Sequence, residues 1–153
     1  MWMRPTGVST TFHGRDIFGP AAAYLSKGAD VQEAGGVISK LVQFERTEAS
    51  FDGANFRAQI LHRDHYGNLL SNIPAEMVAK AGLKNGMGLT VRNGLLMAAA
   101  TFENRYSAVD SGKFVLVINS QGRLEIARNM ASAGDSLRLR AGDQIVIGTT
   151  ALQ

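Results

Sequence analysis

The chain has 153 residues, a formal net charge of +3 and 45 % hydrophobic residues, enough apolar side chain to bury a real core. It has no cysteine, which excludes disulfides, thiol nucleophiles and cysteine-based zinc sites. Its 16 basic residues are scattered with no stripe or nucleic-acid motif, and no apolar run approaches the ~18 residues of a membrane helix, so neither nucleic acid nor membrane is an expected partner.

The N-terminus, "MWMRPTG", carries no apolar core of a secretory signal, and a cytoplasmic location is the expectation. Ile17–Lys27 reads as a short helix. Pro20 suits its first turn, where a missing N–H costs nothing, and Gly28 suits the position just past its end. A looser connector follows, with one apolar patch, Val37–Phe44, whose spacing leaves strand and coil open. In "FRAQILHRDHYGN" the residues Phe56, Ala58 and Ile60 alternate with Arg57, Gln59 and Leu61, the mark of a strand with one face partly wet. A turn follows at "HYGN". "IPAEMVAKAGL" reads as a helix between Pro74 and Gly82. Then come the strand-like runs "GLTVRN", "FVLVINS", "RLEIARN" and "DQIVIGT", separated by turn signals at 119–122 and 141–143. Short strands at this spacing predict a small β-barrel or sandwich.

The candidate chemistry starts with three histidines. His62 and His65 flank Asp64, but on an extended strand His65 points away from the other two, so His62 reads as a strand-surface residue and no metal is expected. His13 lies between Phe12 and Gly14, just before a helix start. A glycine there admits a ligand close to the backbone, and a helix N-terminus favours polar ligands. From spacing alone, a histidine that caps or packs under the helix is the better reading. Asn68 either closes an Asx turn or, with Asp64, presents an amide and a carboxylate to a ligand, beside which Tyr66 can stack on a flat ring. Glu125 faces away from Leu124 and Ile126, as a solvated residue or a ligand contact. No phosphate-binding loop, nucleophile elbow or dinucleotide fingerprint is present.

Three blocks in order, "TFHGRDIFGPAAAYL", "HRDHYGNLLSNI" and "NRYSAVDSGKFVLVINSQGRLEIARNMASA", resemble the S-adenosylmethionine (SAM) hydroxide adenosyltransferases, or SAM hydrolases, relatives of the SAM-dependent fluorinase and chlorinase. The resemblance implies a mainly β chain: a C-terminal β-barrel domain of the fluorinase/SAM hydrolase type, preceded by a short helical remnant of an α/β N-terminal domain. The expected partition is 1–28 for the remnant, 29–51 for the connector and 52–153 for the barrel. It also implies a homo-trimer and displacement at C5′ of SAM by water or hydroxide, giving adenosine and L-methionine, with SAM as substrate and no cofactor. His13 resembles the catalytic histidine. Phe12 resembles the aromatic at the reacting carbon, and Gly14 leans towards water rather than fluoride. Asp64 resembles the carboxylate for the methionine ammonium, Asn68 the amide at the adenine edge, Tyr106 the aromatic on adenine and Ser120 the hydroxyl at the methionine carboxylate. Glu125 sits in the hydrolases' "LEIA" pattern, and Arg128 and Met130 resemble strand positions whose backbone meets adenine.

The sequence departs from the family in one large way. The ribose-binding aspartates and the Asp and Arg partners of the histidine have no counterpart here, and Arg15 and Asp16 belong to the helix block instead. The expectation is a truncated paralogue, one half of a split enzyme with a separate N-terminal half, or a piece of a longer chain. It is then a weak hydrolase alone, or a non-catalytic SAM- or adenosine-binding or oligomerisation module.

Overall fold

Residues 7–43 and 47–149 are described by the structure, a computed structural model; Phe44, the last residue of the undecided apolar patch, lies outside them. The chain forms two compact units, 1–44 and 45–153.

In the first unit, helix α1 (Gly19–Ser26) has Pro20 in its first turn and is preceded directly by one π-helical turn, Gly14–Phe18. Gly28 takes the left-handed conformation just beyond α1 (φ +87°), which glycine adopts without steric cost. The Asp30 side chain then caps a 3-10 turn over Val31–Ala34 by accepting the Gln32 N–H at 2.9 Å. Residues 37–43 form neither helix nor strand, which settles that part of the apolar patch as coil.

The second unit is a barrel. Its strands are β1 (Ser50–Phe51), β2 (Asn55–Arg63), β3 (Leu69–Pro74), β4 (Gly88–Asn93), β5 (Leu96–Phe102), β6 (Phe114–Ile118), β7 (Arg123–Arg128) and β8 (Gln144–Gly148). They pair in the order β2–β3–β7–β6–β5–β4–β8, and β8 pairs back onto β2, so a ring of seven closes; β1 adds only a two-residue ladder to β2. Every neighbouring pair is antiparallel except β5–β6. A parallel pair needs a crossover rather than a tight turn, and residues 103–113 supply it. Two short helices, α2 (Ala75–Lys80) and α3 (Ala133–Leu137), complete the unit.

Alternation fills the interior. Phe56 and Ala58 of β2 stand in register with Ile147 and Ile145 of β8, Ile147 stands opposite Val91 of β4, and Ile60 and Leu89 extend the same buried face along their strands. Leu116, Leu124, Ile126 and Leu69 continue it around the ring, all fully buried. Ser71 shares that interior parity; its hydroxyl donates to the Leu124 carbonyl at 2.6 Å, so its burial leaves no polar atom unmet. A bulge in β2 between Ile60 and His62 shifts its register against β3. Among the described residues no helix is long and apolar enough to cross a membrane.

Candidate functional site

β2 ends at Arg63, and the chain turns back into β3 through residues 64–68. Asp64 holds that turn. One carboxylate oxygen accepts the N–H groups of Tyr66 at 2.9 Å and Asn68 at 2.8 Å; the other accepts the Asn68 side-chain amide at 2.9 Å. The Asx turn is therefore made by Asp64 and not by Asn68, because the carboxylate lies where it can reach two backbone donors. Gly67 adopts φ +85° and lies against the start of α3: a Cβ there would fall 2.1 Å from the Ser132 hydroxyl, and its carbonyl accepts the Gly134 N–H at 2.9 Å. Ser132 caps α3 by accepting the Asp135 N–H at 3.0 Å. Arg63 donates to Asp135 at 2.7 Å, and this bond, followed by the Ser132 contact, holds the Asp135 carboxyl below its ordinary range.

β7 ends beside this turn. Arg128 has interior parity at the mouth of the barrel. Its guanidinium lies over the Phe114 ring, 5.4 Å from the centroid, and donates to the Gly112 carbonyl at 2.7 Å and to the Ser136 hydroxyl at 2.9 Å. Met130 follows in a left-handed conformation (φ 55°) and is 87 % exposed. Neither the N–H nor the C=O of Met130 finds a hydrogen-bond partner among the described residues.

These pieces enclose an open cavity of about 550 Å³, within the range of small-ligand sites. Five residues singled out in the sequence line it: Tyr66, Asn68, Tyr106, Arg128 and Met130. Asn129, Ala131 and Ser132 line it too and escaped the sequence reading; the cap spacing of Ser132 and Asp135 was the signal that could have found α3.

Tyr106 reaches the cavity from the crossover, in a 3-10 turn over Tyr106–Ala108. Its hydroxyl donates to Glu125 at 2.7 Å. Burial, then the bond to and charge of Glu125, with the Asp64 charge last, push the phenol up to about 12. Glu125 itself is 9 % exposed on the outer face of β7, so the expectation of a solvated residue is corrected: burial beside Val117 and its bond to Tyr106 take it out of water. Ser120 lies in the turn that opens β7, at the opposite end of that strand from the cavity.

In the first unit, His13 is exposed at the N-terminal end of the π-helical turn and makes no capping hydrogen bond, so it neither caps nor packs under the helix. Phe12 lies under the Arg15 guanidinium at 4.9 Å, and Arg15 pairs with Asp16. A Cβ on Gly14 would meet nothing within 4 Å. Among the described residues no three His, Asp or Glu side chains gather into a metal-holding group, His62, Asp64 and His65 included.

A family model described as the SAM hydroxide adenosyltransferase C-terminal domain matches residues 58–146. The chain belongs to this family. It is 31 % identical over 140 residues to an (R)-S-adenosyl-L-methionine hydrolase of Salinispora tropica, an alignment covering 90 % of this chain and 51 % of the relative. It is 30 % identical over 152 residues to a fluorinase of Actinoplanes sp., covering 94 % and 50 %. A crystal structure of an uncharacterized conserved protein from Thermotoga maritima is similar at a TM-score of 0.76 and 30 % identity, covering 96 % of this chain and 56 % of that one. The chain thus spans about half the length of the curated relatives it matches. As a SAM hydroxide adenosyltransferase C-terminal domain, its β-barrel is the part of the molecule in which the family is recognised.

Proposed function

We propose that the cavity at the mouth of the barrel takes the adenine end of SAM, and that the chain serves SAM hydrolysis to adenosine and L-methionine. The observation that carries this reading is the exposed Met130 backbone. Among the described residues the Met130 N–H and C=O have no partner, so a donor and an acceptor are left for a polar ligand at a residue that lines the cavity, while Tyr66 and Tyr106 offer aromatic faces beside it. The Asn68 side-chain carbonyl adds an acceptor, since its amide nitrogen is already bonded to Asp64.

The reaction asks little covalent chemistry of the protein. Water attacks C5′, an O–C bond forms, the C5′–S bond breaks, and its electron pair neutralises the sulfonium to give a thioether. The water loses one proton. Methionine is already a good leaving group, so positioning and partial drying of the water supply most of the catalysis. His13 is proposed as the group that orients or deprotonates that water, on the resemblance of its segment. Gly14 leaves room for water beside it, and Phe12 lines the reacting carbon. Asp64 is proposed for the ammonium of methionine, and Ser120, which lies at the other end of β7 from the cavity, is carried for the carboxylate by resemblance alone.

Turnover by these 153 residues alone is proposed to be slow, because the resemblance puts the ribose contacts outside them. The test is chromatographic detection of adenosine after the pure chain is incubated with SAM, against a protein-free control. Adenosine above the control, lost in His13→Ala, supports the enzymatic reading. No adenosine together with calorimetric binding of adenosine selects a binding module, and the absence of both sinks the reading of the cavity.

A further inference from the structure

Glu125 departs from the plan of the barrel's outer face. The neighbouring outward positions on β6 and β7 are Val115, Val117 and Ala127, all buried and apolar. A carboxylate in such a place is costly unless hydrogen-bonded. Each oxygen of Glu125 takes one donor: the Tyr106 hydroxyl at 2.7 Å on Oε1, and the Asn119 amide at 3.2 Å on Oε2. Among the described residues no Lys or Arg forms an ion pair with it.

Its two partners differ in how firmly they are held. The Asn119 side chain is fixed from its other end, where Oδ1 accepts the N–H groups of Gln121 at 2.9 Å and Arg123 at 3.2 Å. Tyr106 is 44 % exposed on a three-residue turn of the crossover. Packing alone leaves such a ring free to change rotamer. Its hydroxyl bond to Glu125 ties it to β7, and with it one wall of the cavity.

We propose that Glu125, braced by Asn119, is a positioning residue: it fixes the Tyr106 ring as the stacking wall of the cavity and does not itself touch the ligand. This rests on the adenine reading above, and it replaces the ligand contact that the resemblance alone would give Glu125.

Two readouts separate this proposal from that reading. The first needs no ligand. Tetranitromethane nitrates phenolates, so near pH 8 the rate at each tyrosine reports its ionised fraction and access. Tyr66, 82 % exposed, serves as the internal reference. A phenol two units above the ordinary value is ionised about a hundredfold less, so Tyr106 lags Tyr66 by at least about tenfold in the wild-type chain. In Glu125→Val the lag shrinks by at least about threefold without closing, because burial, the largest cause of the raised phenol, remains, and Glu125→Gln, which keeps an acceptor oxygen without the charge, falls between. An unchanged lag in Glu125→Val overturns the anchor.

The second readout is adenosine affinity by calorimetry. Glu125→Val and Tyr106→Phe each weaken it about 5- to 20-fold, the double variant loses no more than the worse single one, and Glu125→Gln stays within about threefold of wild type. The thermal midpoint of Glu125→Val is expected to fall, because the Tyr106 hydroxyl and the Asn119 amide lose their shared acceptor, so both readouts are taken well below it. Should that variant fail to fold, Glu125→Gln and Tyr106→Phe carry the test. Losses that multiply in the double variant, or affinities unchanged in every variant, overturn the proposal. A wild-type chain that ignores adenosine sinks the adenine reading instead, and the nitration comparison still decides whether Glu125 holds Tyr106.

Discussion

Asp64 and Gly67 show how much of the cavity depends on single atoms. Asp64 spends both oxygens on its own turn, so Asp64→Ala strands three donors and is expected to lower unfolding free energy by about 1–3 kcal/mol. Chemical denaturation measures it. Gly67 has less latitude. Any other residue must hold φ near +85° and place its Cβ inside the Ser132 side chain. Gly67→Ala is expected to cost at least about 2 kcal/mol, from backbone strain together with the displaced cap of α3, and to weaken adenosine binding in parallel. A Gly67→Ala chain with wild-type stability would mean that the turn and α3 do not touch as described. Tyr106 adds a pH effect of known sign. Its phenol is raised to about 12, so the stability it contributes is complete below about pH 10 and is lost as the pH climbs towards 12. Tyr106→Phe should flatten the fall of the thermal midpoint across that interval.

The short helix α3 works as an element because its cap and its ion pair converge. Ser132→Ala removes the cap and should cost about 1 kcal/mol by thermal or denaturant unfolding. Asp135 carries the opposite pH sign to Tyr106. Its carboxyl is depressed by Arg63, so its contribution is present above the unfolded-state value near pH 4 and disappears as the pH falls below it. The difference in thermal midpoint between wild type and Asp135→Asn should therefore close in acid. Strands written in β-forming residues were legible in the sequence. β2 follows from the alternation of Phe56, Ala58 and Ile60, and β4, β6, β7 and β8 from Val-, Ile- and Leu-rich runs between turn signals, with β6 and β7 buried on both faces. β3 hid because Ser71 takes an interior place and Asn72 interrupts the outer face. β5 hid because its alanines, weak strand formers, lie within "LMAAATF". α3 hid because five residues are too few to show a helical period. Within the cavity, the aromatic and amide positions were legible by resemblance. The free backbone of Met130 was not, since a φ of 55° on a methionine follows from where the neighbouring strands end and not from its side chain.

At the scale of the molecule, the barrel is a closed ring within its own compact unit, with its hydrophobic core complete inside residues 45–153. That segment, expressed alone, is expected to keep the β-type circular dichroism and a cooperative unfolding transition within a few degrees of the one shown by the full chain. Loss of cooperativity would show that the first unit is needed to fold the second. The parallel β5–β6 pair has a further consequence for how such a protein can change over generations. The crossover it demands is fastened near its two ends, through the Glu103 N–H to Leu116 and the Gly112 N–H to Asn129, and Tyr106 is carried between them. Substitutions between those fastenings alter the wall of the cavity while every strand of the ring keeps its neighbours. A lineage can therefore retune what the cavity accepts by rewriting one exposed stretch, with inheritance of the fold left undisturbed.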